Sequence, residues 1–276
     1  MYQQWEITIP ELTGDEPRNA YVYVPDAAVV DDERRYPVLY MFDGQNLFRD
    51  ADASFGKSWG LLEYVTGNNI PLIIAAIECS HHDEQDECGG RLSEYSPFDF
   101  DNSQWGKIRG RGRITMDYIV NEFKPFIDEN FPTLPQREFT FIGGSSMGGL
   151  QSYYMTMKDP DVFGRSLDLS AGLDILDESC LEMIDNYDPK RLENARFYFY
   201  SGDQGMDVTI MKATITVYLR MKEKLNLSNR QICMIIDSRE SHWGTSWGKY
   251  LNSGLRFLFK EDNGVETPSF GMPRPR

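Results

Sequence analysis

The stretch Phe139–Leu150, FTFIGGSSMGGL, decides the fold. A strand-like run falls into a turn of glycines and serines, and a helical pattern, MGGLQSYYMTM, leaves it. Its centre, Gly144–Gly148 (GSSMG), fits G-x-S-x-G with Ser146 in the middle. That spacing alone is a weak signal, but a strand entering and a helix leaving is the setting the motif requires. In such a turn the serine is held in a strained conformation, and its neighbours are small because Cβ atoms there would meet the adjoining strand and helix. The emerging helix aims its first amides at the site, which places the Met147 N–H to stabilise an oxyanion. The competing reading is a glycine-rich packing turn without chemistry.

Outward from this turn, β-rich runs fall at Trp5–Ile9, Ala20–Val24, Tyr36–Phe42, Leu72–Glu78, Phe139–Gly143, Arg165–Leu169, Arg196–Tyr200 and Ile232–Ile236. Runs such as VLYMF and LIIAAI are apolar without alternation, as in strands covered on both faces. Helical patterns fall between the later strands, at Ile114–Asn130, Met147–Met157, Val208–Leu225 and Ser246–Phe259. Pro125 is expected to kink the first of these or to mark its true start. The alternation predicts an α/β fold with eight strands in a mostly parallel sheet and helices on both faces. Residues 1–260 read as one domain and 261–276 as a loose tail. The segment Cys79–Arg113 is polar, turn-rich and long enough to suggest a functional loop.

The 276-residue chain has 28 basic and 43 acidic side chains, a formal net charge of −15. That charge repels phosphate backbones and anionic lipid surfaces, so neither nucleic acid nor a membrane is an expected partner. Its first residues lack a secretory pattern, and a soluble cytoplasmic protein is expected. Cys79, Cys88, Cys180 and Cys233 show no CxxC spacing, although Cys79 and Cys88 are close enough in sequence to cross-link in an oxidising compartment. The sequence carries no signal for oligomeric state.

A serine nucleophile needs a base, and on this fold the order is serine, acid, histidine. Of three histidines, His81 and His82 precede Ser146, which leaves His242, in DSRESHWGTSW after the strand QICMIID. A loop there is expected to carry it over the sheet edge. The acid should follow the preceding strand, whose exit reads SGDQGMD. Asp207, at the start of the next helix, is favoured over Asp203, and the unused one is free to cap that helix. A second oxyanion donor is expected from DGQNLF after the third strand, with Gly44 letting the backbone approach the substrate and the Gln45 N–H donating. An Asp-Gly turn without catalytic part is the bland alternative.

Four stretches, YPVLYMFDGQNLF, RLSEYSPF, GGSSMGGL and SHWGTSW, together resemble the Putative esterase family of α/β hydrolases. This family includes esterase D, enterochelin esterase, feruloyl and acetylxylan esterases and mycolyltransferases. The resemblance runs from residue 36 to residue 247. It implies an α/β-hydrolase fold and a triad of Ser146, His242 and an aspartate, with the Gln45 and Met147 amides as oxyanion hole. It also implies that Arg91, Glu94 and Tyr95 hold the active-site loop and, with Gly44 and Trp247, form the substrate-binding set, Trp247 packing beneath the histidine or lining the pocket. Two departures stand out: Trp243 follows the histidine where members often carry an acid, and Gly205 stands where the triad acid is usual.

The chemistry expected is hydrolysis of a small acylated ester, of the carbohydrate or aromatic-acyl kind, through an acyl-serine, with no cofactor and no metal. An acyltransferase using the same triad and a silent binding module are the alternatives. His81 and His82, near Asp83 and Asp86, read as a solvated loop rather than a metal site, since adjacent histidines lack ligand spacing. Tyr95, Phe98, Phe100 and Trp105 suit a ring-shaped substrate, and Lys107, Arg109, Arg111 and Arg113 suggest a dock for a substrate carboxylate or phosphate.

Overall fold

The computed structural model describes residues 1–30, 33–82 and 90–259. Ten strands occur among them: β1 (Tyr2–Ile7), β2 (Arg18–Tyr23), β3 (Val38–Met41), β4 (Ile73–Ile77), β5 (Phe100–Asn102), β6 (Gly106–Ile108), β7 (Thr140–Ser145), β8 (Arg165–Leu169), β9 (Arg196–Gln204) and β10 (Ile232–Ser241). The helices are α1 (Pro10–Thr13), α2 (Asp26–Val30), α3 (Leu61–Gly67), α4 (Gly90–Tyr95), α5 (Gly112–Tyr118), α6 (Lys124–Asn130), α7 (Met147–Lys158), α8 (Asp177–Asp185), α9 (Asp207–Lys224) and α10 (Gly244–Leu258).

Eight strands form one sheet in the order β1-β2-β4-β3-β7-β8-β9-β10. From β4 to β10 every pairing is parallel, and β1 and β2 add an antiparallel edge. All eight are the runs read from sequence. The unalternating ones are covered on both faces: Val38, Tyr40 and Phe42 pack into one core with α5 to α9, while Leu39 and Met41 pack into a second with α3 and α10. A strand buried on both faces has no solvent side on which to place polar residues.

The first long helix spans Gly112 to Asn130 but is not uniform. A π turn, Ile119–Phe123, separates α5 from α6, and the Lys124 N–H reaches back five residues to the Ile119 carbonyl. Pro125 falls in the first turn of α6, where its missing N–H costs little. The expected proline effect is thus a register change within one helix. The segment 79–113 contains α4 and the small β5–β6 hairpin, with Phe100 paired to Ile108. Cys88, Asp83, Asp86 and the tail 261–276 lie outside the described residues. Among the described residues no helix is long and apolar enough to cross a membrane.

Candidate active site

The sharp turn after β7 is tight for stated reasons. Ser146 has φ 56° and ψ −124°, a conformation L-residues rarely adopt, at a cost of roughly 1–3 kcal/mol. Its N–H donates to the Leu169 carbonyl (3.0 Å) and its carbonyl accepts from Gly172 (2.9 Å), so β8 and the loop after it hold the strain. A Cβ at Gly144 would lie 2.6 Å from the Gly148 backbone, and one at Gly148 would lie 3.0 Å from the Phe42 Cβ. The flanking glycines therefore let α7 start immediately against β3. The first hydrogen bond of α7 runs from Leu150 N–H to the Ser146 carbonyl (3.0 Å), so the Met147 amide precedes it and faces the N-terminal opening.

β9 runs four residues further than its apolar core suggested, then turns at Gly205, φ +60°, and Asp207 opens α9. Asp207 is fully buried, and its Oδ1 lies 2.7 Å from His242 Nδ1. Its Oδ2 accepts from the Ser170 hydroxyl (2.9 Å) and the Gly202 N–H (3.0 Å). Ser170 Oγ accepts in turn from Trp247 Nε1 (3.0 Å), and the Trp247 ring meets the imidazole edge to face at 5.0 Å. Trp247 therefore braces both the histidine and, through Ser170, its acid. Asp203 sits at the end of β9 against the Gln204 side chain. It does not cap α9, whose N-cap is Met206 with no side-chain bond.

His242 is not delivered by a free loop. β10 continues to Ser241, with a register shift between Asp237 and Ser241 that lets Ser241 pair with Gln204. This bulge turns the strand end toward the acid. Ser170, also at positive φ (41°), was not singled out in the sequence; a serine in LSAGL reads as an ordinary turn residue.

On the other side of the serine, β3 leads through Asp43, φ 55° and ψ 48°, into a short 3₁₀ turn, Gly44–Asn46. Asn46 donates to the Asp43 carbonyl (2.8 Å), so the Gly44 and Gln45 amides come before the first bond of that turn. Asp43 is pinned by Arg91 through two bonds of 2.7 Å to its two oxygens, and Arg91 also donates to the Ser145 carbonyl (3.2 Å). One guanidinium thus ties the turn after β3 to the end of β7. The Tyr95 hydroxyl accepts from the Asp43 N–H (3.3 Å). Glu94 pairs with Arg18 (2.5 Å) and accepts from the Ser80 N–H (3.1 Å); burial raises its pKa, against the pull of Arg18.

These contacts are of the kind the resemblance implies for Arg91, Glu94 and Tyr95 as residues that hold the active-site loop. Glu94 is 2% exposed and Tyr95 not at all, so both are internal supports. Gly44 also packs closely against β2, where a Cβ would meet the Tyr21 ring at 2.5 Å. Cys79 accepts from the Gln45 side chain (3.1 Å), and burial pushes its thiol up, which keeps it un-ionised.

Elsewhere, Arg111 donates to the carbonyls of Glu11 and Leu12 and so fastens α1. Arg113 lies over Phe98, in a cleft of about 540 Å³ with Tyr154, Lys158, Tyr187 and Arg191. Tyr154 is eight residues along α7 from Ser146, roughly 12 Å at helical rise. Arg111 and Arg113 of the basic run are therefore divided between a structural tie and that cleft. His81 and His82 lie beside Glu78 and Glu16, and no group of three His, Cys, Asp or Glu suited to a metal occurs among the described residues.

The chain resembles several solved structures over almost its whole length. A ferulic acid esterase superposes with a TM-score of 0.66 at 18% identity, over 94% of this chain and 97% of that one. An IroE-like serine hydrolase from Shewanella oneidensis gives 0.67 at 20% identity, covering 94% and 80%. The enterobactin esterase FES from Shigella flexneri, in the presence of enterobactin, gives 0.67 at 18%, covering 94% of this chain and 59% of that one. In sequence, an uncharacterised protein of Bacillus subtilis (strain 168), YbbA, is 24% identical over 254 residues, 88% of this chain and 92% of its own. The structural likeness fixes the α/β-hydrolase fold. The family model described as "Putative esterase" matches residues 13–258, and the chain accordingly belongs to that esterase family.

Proposed function

We infer that the protein is a serine carboxylic ester hydrolase. Ser146 attacks the ester carbonyl while His242 Nε2 takes the hydroxyl proton. Asp207 Oδ1 accepts from His242 Nδ1–H, which leaves the Nε2 lone pair toward the serine and steadies the imidazolium that forms. The amides of Gln45 and Met147 receive the developing oxyanion. His242 then passes its proton to the departing alcohol, and water, deprotonated by the same histidine, releases the acid from Ser146. No step calls for a metal or organic cofactor, and the substrate is a small acylated compound.

The observation that carries this reading is the fully buried Asp207 held 2.7 Å from His242 Nδ1, with its other oxygen occupied by Ser170 and Gly202. A structural aspartate would not need both oxygens and an imidazole fixed at the same strand ends as a strained serine. The test is hydrolysis of p-nitrophenyl acetate by the wild type beside Ser146→Ala. Activity should fall at least a thousandfold, with the thermal midpoint little changed. Activity that survives in the variant would sink the assignment.

A further inference from the structure

Two aromatic side chains are exposed beside the candidate site and touch each other. Phe55 is 76% and Trp243 54% exposed, and their rings meet edge to face with centroids 5.6 Å apart. Neither neighbours the core in a way that explains its position.

Both rings are carried by pinned backbone. Phe55 follows Ser54, whose hydroxyl lies 3.5 Å from the Gln45 side chain and whose N–H donates to Asn46 (2.9 Å). The loop closes through Gly56 N–H to the Ala53 carbonyl (2.9 Å) and Trp59 N–H to the Asn46 carbonyl (2.9 Å). Asp50 braces it further, accepting from the Ser58 N–H (2.9 Å), the Ser58 hydroxyl (3.0 Å) and Lys57 (2.8 Å). Trp243 directly follows His242; its N–H donates to Ser241 (2.8 Å) and its carbonyl accepts from Ser246 (2.9 Å) at the start of α10. The ring pair thus bridges the Gln45 side of the site to the His242 side.

We propose that Phe55 and Trp243 form the subsite for the alcohol portion of the ester, and that this portion is an aromatic or similarly bulky apolar alcohol. The reading rests on the serine-esterase function above. As the Ser146 Oγ–acyl bond forms, the acyl carbon–oxygen bond to the alcohol breaks, and the serine proton reaches that oxygen through His242. The alcohol therefore departs on the histidine's side, where Trp243 stands. Two exposed rings gain from contact with an apolar group that displaces water from both, and an aromatic guest meets their edges and faces favourably. A small alcohol such as ethanol covers little of either ring and gains little of this.

Benzyl acetate and ethyl acetate share an acyl group and differ only in the alcohol. The ratio of their kcat/KM values should favour the benzyl ester in the wild type. It should fall fivefold or more in both Trp243→Ala and Phe55→Ala, and stay within twofold in Trp243→Phe. Unchanged thermal midpoints establish that the variants are folded, as expected for exposed side chains. A smaller fall in either alanine variant overturns the subsite. The two readings fail differently: p-nitrophenyl acetate hydrolysis that survives Ser146→Ala removes the esterase itself, whereas hydrolysis that dies with Ser146 while the benzyl preference is unmoved removes only the subsite.

Discussion

At the scale of single residues, the open choice in the sequence lay between Asp203 and Asp207, four positions apart in SGDQGMD. The geometry separates them by burial: Asp207 is enclosed with three partners, whereas Asp203 stands at a strand end beside Gln204. Asp207→Asn should lower kcat by about 10³–10⁴, because an amide favours the wrong imidazole tautomer. Asp203→Asn should change it by no more than about threefold, as removing a peripheral charge does. Rate measurements on p-nitrophenyl acetate decide, and equal losses in both would remove the distinction. Ser146 and His242 were legible as candidates because a motif in its strand and helix context names one, and chain order leaves one histidine. Ser170 was not, since its role depends on β8 lying beside β9, which no local pattern around LSAGL announces.

Among the elements, the turn after β3 shows how a conformation is held. Asp43 is in the left-handed region, which favours glycine, asparagine or aspartate, and its carboxylate is clamped by Arg91 from α4. Losing one partner of a buried pair strands the other, so Arg91→Ala should destabilise the fold by about 3 kcal/mol. Denaturant melts of Arg91→Ala, Asp43→Ala and the double variant should give a coupling above about 1 kcal/mol; additive losses would show that the clamp does not hold the turn. The long helices were legible from their spacing. The short ones were not: α3, LLEYVTG, mixes β-branched residues with a terminal glycine, and α4 offers one and a half turns in GRLSEY. Their stability comes from packing and from Arg91, which are tertiary facts.

For the whole molecule, the sheet's two buried faces explain why its strands were readable: apolar runs without alternation have few other uses. The same enclosure makes Asp168, on β8, conspicuous. Burial pushes its carboxyl well above the usual range, and one hydrogen bond from Ser166 only partly offsets this. The native state therefore keeps a proton that the unfolded chain releases near pH 4, so stability falls as pH rises from there toward the native pKa. Asp168→Asn preserves the shape and removes the titration. It should lose less stability than the wild type as pH rises from about 5 to 8, giving a flatter pH profile; identical profiles in thermal melts would refute this.

The carboxyl end of α10 lies against charge of the opposite kind. Arg165 and Arg196 face each other across β8 and β9, both buried, and both donate to the Leu258 carbonyl, Arg196 reaching Phe257 as well. The helix's negative pole thus screens two neighbouring cations from each other. Sliding that end outward would break these bonds and withdraw the carbonyl that the two guanidiniums share. α10 is thus held at both ends, by the two guanidiniums at Leu258 and by the bonds of Trp243 to Ser241 and Ser246 beside His242, so the histidine adjoins a fixed strut rather than a hinge.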